Sequence, residues 1–327
     1  MEKRSQNKVN PLYKVPSMDN WKGRNTDSSL GKQYWYQTIN LIDDFDFYSK
    51  PDIVLIGYEC DEGVKRNQGR IGAKEGPDKV RQSLGKIPIH FEELNIIDAG
   101  NVICLDNDLE SSQKLFSEAI QKIINQGAFP IAIGGGHDIA FTHFNGIWNA
   151  VKNTEKKRIG IINFDAHFDL RPIVENGNSG TPFNQILSNT EVNKYVNYFP
   201  IGIQKQSNTK ELFEIADKFG VNYIENFDCE SSNINYVIRQ LEPFLEKNDW
   251  IYITIDLDGF SSAFVSGVSA PSPLGFSPNF IFKVIDYLMN SDKVISCDIA
   301  ELNPKYDTDE MTANLAAKLV DFIVMNR

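Results

Sequence analysis

The chain has 327 residues, and 33 Lys and Arg against 44 Asp and Glu give it a formal net charge of −11 at pH 7. This length allows one large α/β domain or two ordinary domains. The acidic balance argues against a surface that binds nucleic-acid phosphates or anionic lipid. No stretch approaches the ~18 consecutive apolar residues of a membrane helix. With 41% hydrophobic and 24% charged residues, the composition is typical of a folded globular protein.

The first 30 residues are the most polar stretch of the chain. We predict two units: a polar N-terminal segment, residues 1–30, which is either partly mobile or wrapped over the body, and a main domain, residues 31–327. The four cysteines, at positions 60, 104, 229 and 297, are scattered and include no Cys-x-x-Cys pair. We interpret them as reduced, mostly buried thiols, which favours a cytoplasmic protein.

Short apolar runs alternate with amphipathic stretches after the polar segment. Eight runs predict β-strands, at 52–58, 94–99, 129–134, 158–165, 196–203, 221–225, 250–258 and 293–302. Seven stretches predict helices, at 77–84, 112–125, 139–151, 208–219, 233–245, 278–289 and 309–325. Several strands are continuous Ile/Val runs, which is typical of strands buried on both faces. The alternation therefore predicts a single three-layer α/β/α domain with a mainly parallel sheet of about eight strands.

Acidic and histidine residues stand at the ends of three of these strands. Asp165, His167 and Asp169 end the apolar run RIGIINF, and their period-2 spacing puts all three on one face if the strand continues. Without a counter-ion, buried carboxylates so close would repel each other and one would have to protonate. In parallel sheets, ligands bind beyond the carboxyl ends of the strands. We therefore interpret this cluster as part of a binding site.

Two further clusters have the same position. His137 follows three glycines in GGGHD after FPIAI, and Asp256 and Asp258 end the run WIYITI. The GGGHD segment lacks the spacing of a phosphate-binding loop, and Asp256 and Asp258 alone fit a solvated turn equally well. Taken together, however, four carboxylates and two imidazoles suit Mn²⁺ or a similar divalent ion better than zinc, and four negative charges balance two such ions. Two metals roughly 3.5–4 Å apart can share a water and lower its pKa. The sequence thus predicts a dinuclear metallohydrolase.

The segments GGGHD, DAHFD and TIDLDGFSSAFVSGVSAPSP together resemble the ureohydrolase superfamily of arginases, agmatinases and formimidoylglutamases. The chain is most similar to the formimidoylglutamases, through DEGVKRNQGR at 61–70, DAHFDLR at 165–171, SGTPF at 179–183 and GVSAP at 267–271. The resemblance covers nearly the whole chain. It implies an arginase-like fold and the hydrolysis of N-formimidoyl-L-glutamate to L-glutamate and formamide, in histidine degradation.

The resemblance also implies the ligands of two Mn²⁺ ions in each subunit. One ion would be held by His137, Asp165, Asp169 and Asp256, and the other by His167, Asp165, Asp256 and Asp258. Asp169 would also transfer protons. Glu301, a carboxylate after the last predicted strand, would bind the planar amidine cation, which suits bidentate bonding. By analogy with the family, we expect a homo-oligomer, either a trimer or a hexamer, that acts on a small molecule.

One position departs from arginases and agmatinases, which have a histidine where this chain has Ser179. His90 and His143 do not obviously replace it, which leaves the proton donor to the leaving amine open. A glutamate-like substrate needs cations away from the metals, and Arg171 and Arg70 are the best placed in the sequence, although Arg70 is at least as consistent with a structural ion pair. Ser179 and Thr181 are further candidates for substrate binding.

Three other readings remain open. The chain could act on a guanidino compound, as an agmatinase or guanidinobutyrase does, and release urea. It could be a catalytically silent member with a binding role, which the intact ligand set argues against. The third hypothesis is an unrelated two-metal enzyme such as a phosphatase. The lack of a basic phosphate-binding group near the clusters in the sequence argues against it.

Overall fold

The computed structural model of the protein describes residues 10–43 and 50–327. Within these ranges, ten strands form one sheet. They are β1 (Tyr13–Lys14), β2 (Asn40–Leu41), β3 (Ile53–Glu59), β4 (Ile96–Ile103), β5 (Phe129–Ile133), β6 (Ile159–Phe164), β7 (Val196–Ile203), β8 (Ile224–Glu225), β9 (Trp250–Asp256) and β10 (Val294–Ala300). The order is β1-β4-β3-β5-β10-β9-β6-β7-β8, and β2 also pairs with β4. Every pairing is parallel except that of β1 with β4.

Helices cover both faces of the sheet. They are α1 (Glu62–Arg66), α2 (Gly76–Leu84), α3 (Leu109–Asn125), α4 (Ile139–Val151), α5 (Pro182–Ser188), α6 (Lys210–Phe219), α7 (Ile234–Lys247), α8 (Pro278–Met289) and α9 (Met311–Met325). Apolar side chains of α2, α7, α8 and α9 form one buried cluster with one face of the sheet. Those of α3, α4, α5 and α6 form the other. The predicted three-layer α/β/α domain is therefore confirmed.

All eight predicted strands and all seven predicted helices are present. The predicted strand 221–225 shrinks to Ile224–Glu225. The helices α1 and α5 were not predicted, because five and seven residues are too few to show helical periodicity. The two-residue strands β1 and β2 were missed for the same reason.

The described part of the polar N-terminal stretch contacts the sheet. The indole of Trp21 is 2% exposed, and its Nε1 donates to Oδ2 of Asp98 on β4 at 2.8 Å. The same carboxylate accepts from Nε and Nη2 of the buried Arg81, at 2.9 and 2.7 Å. The boundary at residue 30 stays a prediction, and residues 1–9 of the predicted segment lie outside the described residues.

Candidate active site

Four neighbouring strands of the sheet end at the same edge. In the order β5-β10-β9-β6, Ile133 pairs with Ile299, Ala300 with Asp256, and Phe164 with Ile255. The loops that follow these strands therefore begin side by side. This common edge brings together three predicted clusters, at residues 137, 165–169 and 256–258 of the sequence.

The loop after β5 is built on close backbone contacts. A Cβ atom on Gly135 would lie 1.7 Å from the backbone oxygen of Cys60, so only glycine fits. The backbone N–H of Gly136 donates to that same oxygen at 3.0 Å, and the N–H of Glu301 donates to the oxygen of Gly135 at 2.8 Å. The N–H of His137 in turn donates to Oε1 of Glu301 at 2.8 Å. The triple glycine thus fixes His137 and Glu301 next to each other.

The predicted ligands form two groups of atoms that could each hold a metal ion. His137, Asp165, Asp169 and Asp256 each place one ligand atom within 4.8 Å of the others, and Asp165, His167 and Asp258 do the same. His137 Nδ1 lies 2.8 Å from Asp169 Oδ2 and 3.1 Å from Asp256 Oδ2. Asp165 belongs to both groups. The structure thus brings all six predicted ligands together.

Two acidic residues of the site have strained backbones. Asp169 has φ of 48° and Glu301 has φ of 70°, in the left-handed region that non-glycine residues seldom adopt. Such conformations persist only where the surrounding structure imposes them, and they are concentrated at functional sites. With these backbones, Asp169 Oδ2 lies 2.8 Å from His137 Nδ1 and Glu301 Oε1 lies 2.8 Å from the backbone nitrogen of His137.

The cluster contains more negative charge than its own histidines can neutralise. Burial and the charges of Asp258 and Asp165 raise the pKa of Asp256 well above its usual range, and burial with the charge of Asp165 raises the pKa of Asp169 to about 6. Burial alone would lower the pKa of His137, but the charge of Asp256 and hydrogen bonds to Asp165 and Asp169 raise it well above its usual range. Both directions mean that the cluster favours added positive charge. Divalent cations would supply that charge, so the donor set fits Mn²⁺.

A layer of buried polar side chains lies one pleat below the cluster. Asn163 on β6, Thr254 on β9 and Asp298 on β10 are aligned in register across the sheet and are fully buried. Asn163 Nδ2 donates to Asp165 Oδ2 at 3.1 Å, and Thr254 Oγ1 lies 3.0 Å from His137 Nε2. Sequence reasoning missed this layer, although each residue is a polar interruption in an apolar strand.

A cleft leads from solvent to the cluster. Its wall includes Glu301 and five of the six predicted ligands, all except Asp165. Arg171 and Ser179 also line it. Asn67, Ser207, Asn208 and Ser269 line it as well. These four were not predicted as site residues, although Asn67 and Ser269 stand in the two loop segments that carry the family resemblance.

The remaining predicted substrate residues have other contacts. Arg70 does not line the cleft: its Nε donates to the oxygen of Ser269 at 3.2 Å, and its guanidinium lies 4.1 Å from the ring centre of Tyr306. Thr181 is fully buried, and its Oγ1 lies 2.9 Å from the backbone oxygen of Asn178 and 2.9 Å from Oε1 of Gln185 on α5. Substrate binding by Arg70 and Thr181 stays a prediction that this geometry does not favour.

Comparison with known proteins identifies the family of this chain. The model of the arginase family matches residues 51–325. The chain belongs to the arginase family. It is 42% identical to a formimidoylglutamase of Clostridium tetani over 329 aligned positions, covering 95% of each chain. It is 38% identical to one of Psychrobacter cryohalolentis, covering 95% of this chain and 97% of the relative.

Solved structures of the family have the same fold. A Trypanosoma cruzi formiminoglutamase with Mn²⁺ is 25% identical, with a TM-score of 0.76 over 86% of this chain and 96% of that one. A formimidoylglutamase of Bacillus subtilis, at 22% identity, gives a TM-score of 0.80 over 93% of this chain and 94% of that one. The arginase-like fold predicted from the sequence is therefore confirmed. In the described residues, no helix is long and apolar enough to cross a membrane.

Proposed function

We propose that this chain hydrolyses N-formimidoyl-L-glutamate to L-glutamate and formamide, as the names of its relatives suggest. The observation that carries the proposal is one cleft that joins an acid–histidine cluster, a carboxylate beside it and an arginine at its wall. Glu301 is 2% exposed and lines the cleft with His137 and Arg171. A substrate with an amidine cation at one end and carboxylates at the other matches this distribution of charge.

We propose that the cluster holds two Mn²⁺ ions, with Asp165 and Asp256 shared between them. His137 and Asp169 would complete the ligands of one ion, and His167 and Asp258 those of the other. Asp258 supports this assignment, because its buried Oδ1 accepts no hydrogen bond within the described residues and lies 3.4 Å from His167 Nδ1. When bound, the ions supply Lewis acidity, which lowers the pKa of water and stabilises negative charge.

Glu301 is suited to orienting the amidine. Its Oε1 accepts the N–H of His137 at 2.8 Å, and its Oε2 accepts the hydroxyl of Ser269. These contacts fix the carboxylate plane, and a fixed carboxylate can bind a planar N–C–N cation through two parallel hydrogen bonds. Burial raises the pKa of Glu301 to about 8, and a bound cation would favour its charged form.

Asp169 is suited to proton transfer. Its Oδ2 lies at the cluster, 2.8 Å from His137 Nδ1, and a carboxylate within reach of the reacting water can act as a general base. We propose that Asp169 accepts a proton from the attacking water and passes it to the leaving amine. This assignment supplies the proton donor that Ser179 cannot provide.

Arg171 is our candidate for binding a substrate carboxylate. Its side chain is exposed and lines the cleft, and its backbone N–H donates to the oxygen of Gly180 at 3.0 Å, which ties it to the SGTPF loop. Asn67 Nδ2 donates to Ser179 Oγ at 3.1 Å on the same wall. The guanidinium fork and these polar groups would receive the glutamate moiety.

A direct assay tests the proposed activity. Metal-free protein is loaded with Mn²⁺ and offered N-formimidoyl-L-glutamate, agmatine and arginine in parallel, and formamide and urea are both measured. We expect formamide from the first compound and little urea from the others. Urea from agmatine would instead identify a guanidino hydrolase, and bound Mn²⁺ without turnover of any of the three would identify a binding protein.

Three further proposals follow from the family and from chemistry. We propose that the reaction serves histidine degradation and that the chain assembles as a trimer or hexamer. We also propose that it is cytoplasmic, since all four of its cysteines are free. Light scattering on the purified protein measures the assembly directly.

A further inference from the structure

The polar layer below the cluster contains a chain of hydrogen bonds that ends on His137. Thr254 Oγ1 lies 3.0 Å from His137 Nε2 and 2.7 Å from Asp298 Oδ1. Tyr252 Oη donates to the other oxygen of Asp298, and His143 Nδ1 lies 2.7 Å from that oxygen. All five residues are buried to 99% or more. Polar groups so deep in a sheet are costly unless each makes its hydrogen bonds.

The direction of these hydrogen bonds follows from counting protons. A threonine hydroxyl has one proton to donate and lone pairs with which to accept, and an ionised carboxylate can only accept. Asp298 receives the Tyr252 hydroxyl and faces the His143 ring, so it acts as an acceptor. Thr254 must therefore donate its one proton to Asp298. Its remaining lone pairs can then only accept, and His137 Nε2 lies within hydrogen-bond distance of them, at 3.0 Å.

This direction decides which ring nitrogen of His137 carries the proton in the neutral imidazole. If Thr254 accepts, Nε2 carries the proton and Nδ1 keeps its lone pair. Nδ1 is the atom that faces Asp165, Asp169 and Asp256, at 3.3, 2.8 and 3.1 Å. Were Thr254 to donate to Nε2, the proton would sit on Nδ1 and block it as a ligand. The hydroxyl thus determines whether His137 presents a lone pair to a metal.

We propose that Thr254, held by Asp298, is a positioning residue that fixes the Nε2–H tautomer of His137 and aims its Nδ1 lone pair at the metal. The inference rests on the metal centre of the proposed function, but not on the identity of the substrate. Groups that orient a metal-binding histidine through its second nitrogen commonly change metal affinity by about 10–100-fold. Thr254 touches neither metal nor substrate and acts only through His137.

Mn²⁺ affinity tests the proposal independently of turnover. Free Mn²⁺ is titrated by electron paramagnetic resonance against metal-free wild type, Thr254→Val and Thr254→Ser. Valine keeps the shape but removes the hydroxyl, and we expect it to raise the dissociation constant of one ion by about 10–100-fold. Serine keeps the hydroxyl and should stay within about threefold of wild type, a difference below 1 kcal/mol. A valine variant that also stays within threefold, or a serine variant as weak as the valine one, overturns the proposal.

Thr142→Val is the matched control. Thr142 is another buried threonine, and its hydroxyl donates to the backbone oxygen of Gln113, away from the cluster. We expect it to leave the Mn²⁺ affinity unchanged. If it weakens Mn²⁺ binding as much as Thr254→Val does, the effect is a general loss of stability and the proposal fails.

A second measurement needs no variant, in case Thr254→Val does not fold. The wild-type protein, labelled with ¹⁵N in its four histidine rings and loaded with diamagnetic Zn²⁺, is studied by NMR. We expect one metal-bound ring to be ligated through Nδ1 and to carry an Nε2 proton that exchanges slowly with solvent. If no metal-bound ring carries such a proton, the proposal is overturned. Wild type that binds metal with this signature but hydrolyses no amidine would refute the proposed function alone.

Discussion

Replacement of Asp256 by asparagine should separate metal binding from folding. Burial and neighbouring carboxylates raise the pKa of Asp256 well above its usual range, so the ionised side chain is disfavoured in the metal-free fold. A raised carboxyl pKa means that stability falls as the pH rises above the pKa of the unfolded chain. Asparagine carries no charge and keeps an oxygen that can accept a hydrogen bond from the N–H of Asp258. In the wild type this nitrogen lies 2.8 Å from Asp256 Oδ1. At pH 8 the metal-free variant should be at least as stable as wild type.

Mn²⁺ should then have opposite consequences for the two proteins. An ion present at 100 times its dissociation constant stabilises the fold by about 2.7 kcal/mol. For a chain of this size about 2 °C of melting temperature corresponds to 1 kcal/mol, so one ion gives about 5 °C and two independent ions about 10 °C. Asp256 is a predicted ligand of both ions, so Asp256→Asn should lose most of this increase.

Differential scanning fluorimetry with and without Mn²⁺ measures both effects. Asp321→Asn is the control. Burial also raises the pKa of Asp321, but within the described residues its Oδ1 accepts a hydrogen bond only from Trp35 Nε1, at 2.7 Å, and it is not a predicted metal ligand. The control should keep the full Mn²⁺-dependent increase. If Asp256→Asn also keeps it, or if wild type shows none, the assignment of a metal centre to this cluster is refuted.

Three other predictions concern protons, substrate and backbone. The pKa values of both cluster histidines are raised, so Mn²⁺ must displace their protons, and its dissociation constant should rise by about tenfold per displaced proton for each unit of falling pH. Calorimetry in buffers of different ionisation enthalpy counts the released protons. An affinity that does not depend on pH would contradict proton displacement from these histidines. Arg171→Gln should raise KM for N-formimidoyl-L-glutamate by about 10–100-fold with kcat nearly unchanged, because a charge-assisted hydrogen bond to the substrate is lost. The control is Arg239→Gln, at an exposed position of α7, which should change neither KM nor kcat. Gly135→Ala should destabilise the fold by about 1–3 kcal/mol or more through overpacking, because the new Cβ would lie 1.7 Å from the Cys60 oxygen. Urea unfolding measures this loss. An unchanged midpoint would contradict the prediction and show that the loop can relax.

The site shows where prediction from sequence works. The ligand types and their place after an apolar run are local properties, so Asp165, His167 and Asp169 could be assigned to one strand end from the sequence. However, β6 ends at Phe164, so the three side chains meet through the loop that follows and not through strand alternation. Apolar runs indicate buried strands, so the strands of the sheet could also be predicted. The sequence offers both Arg171 and Arg70 for carboxylate binding, with Arg70 at least as consistent with a structural ion pair. In the structure Arg70 packs on Tyr306, whereas Arg171 lines the cleft. Only the path of the loops distinguishes them.

The amino-acid sequence alone indicates the layered fold and the types of the candidate metal ligands, because both depend on patterns within single segments. The tertiary structure decided which segments meet: the order β5-β10-β9-β6 joins ligands far apart in the chain. It also aligned the polar layer across the sheet. Each of Thr254, Asn163 and Asp298 is a polar residue in an apolar strand, but the sequence does not show which of them meet, since a hydrogen bond between strands depends on register and pleat.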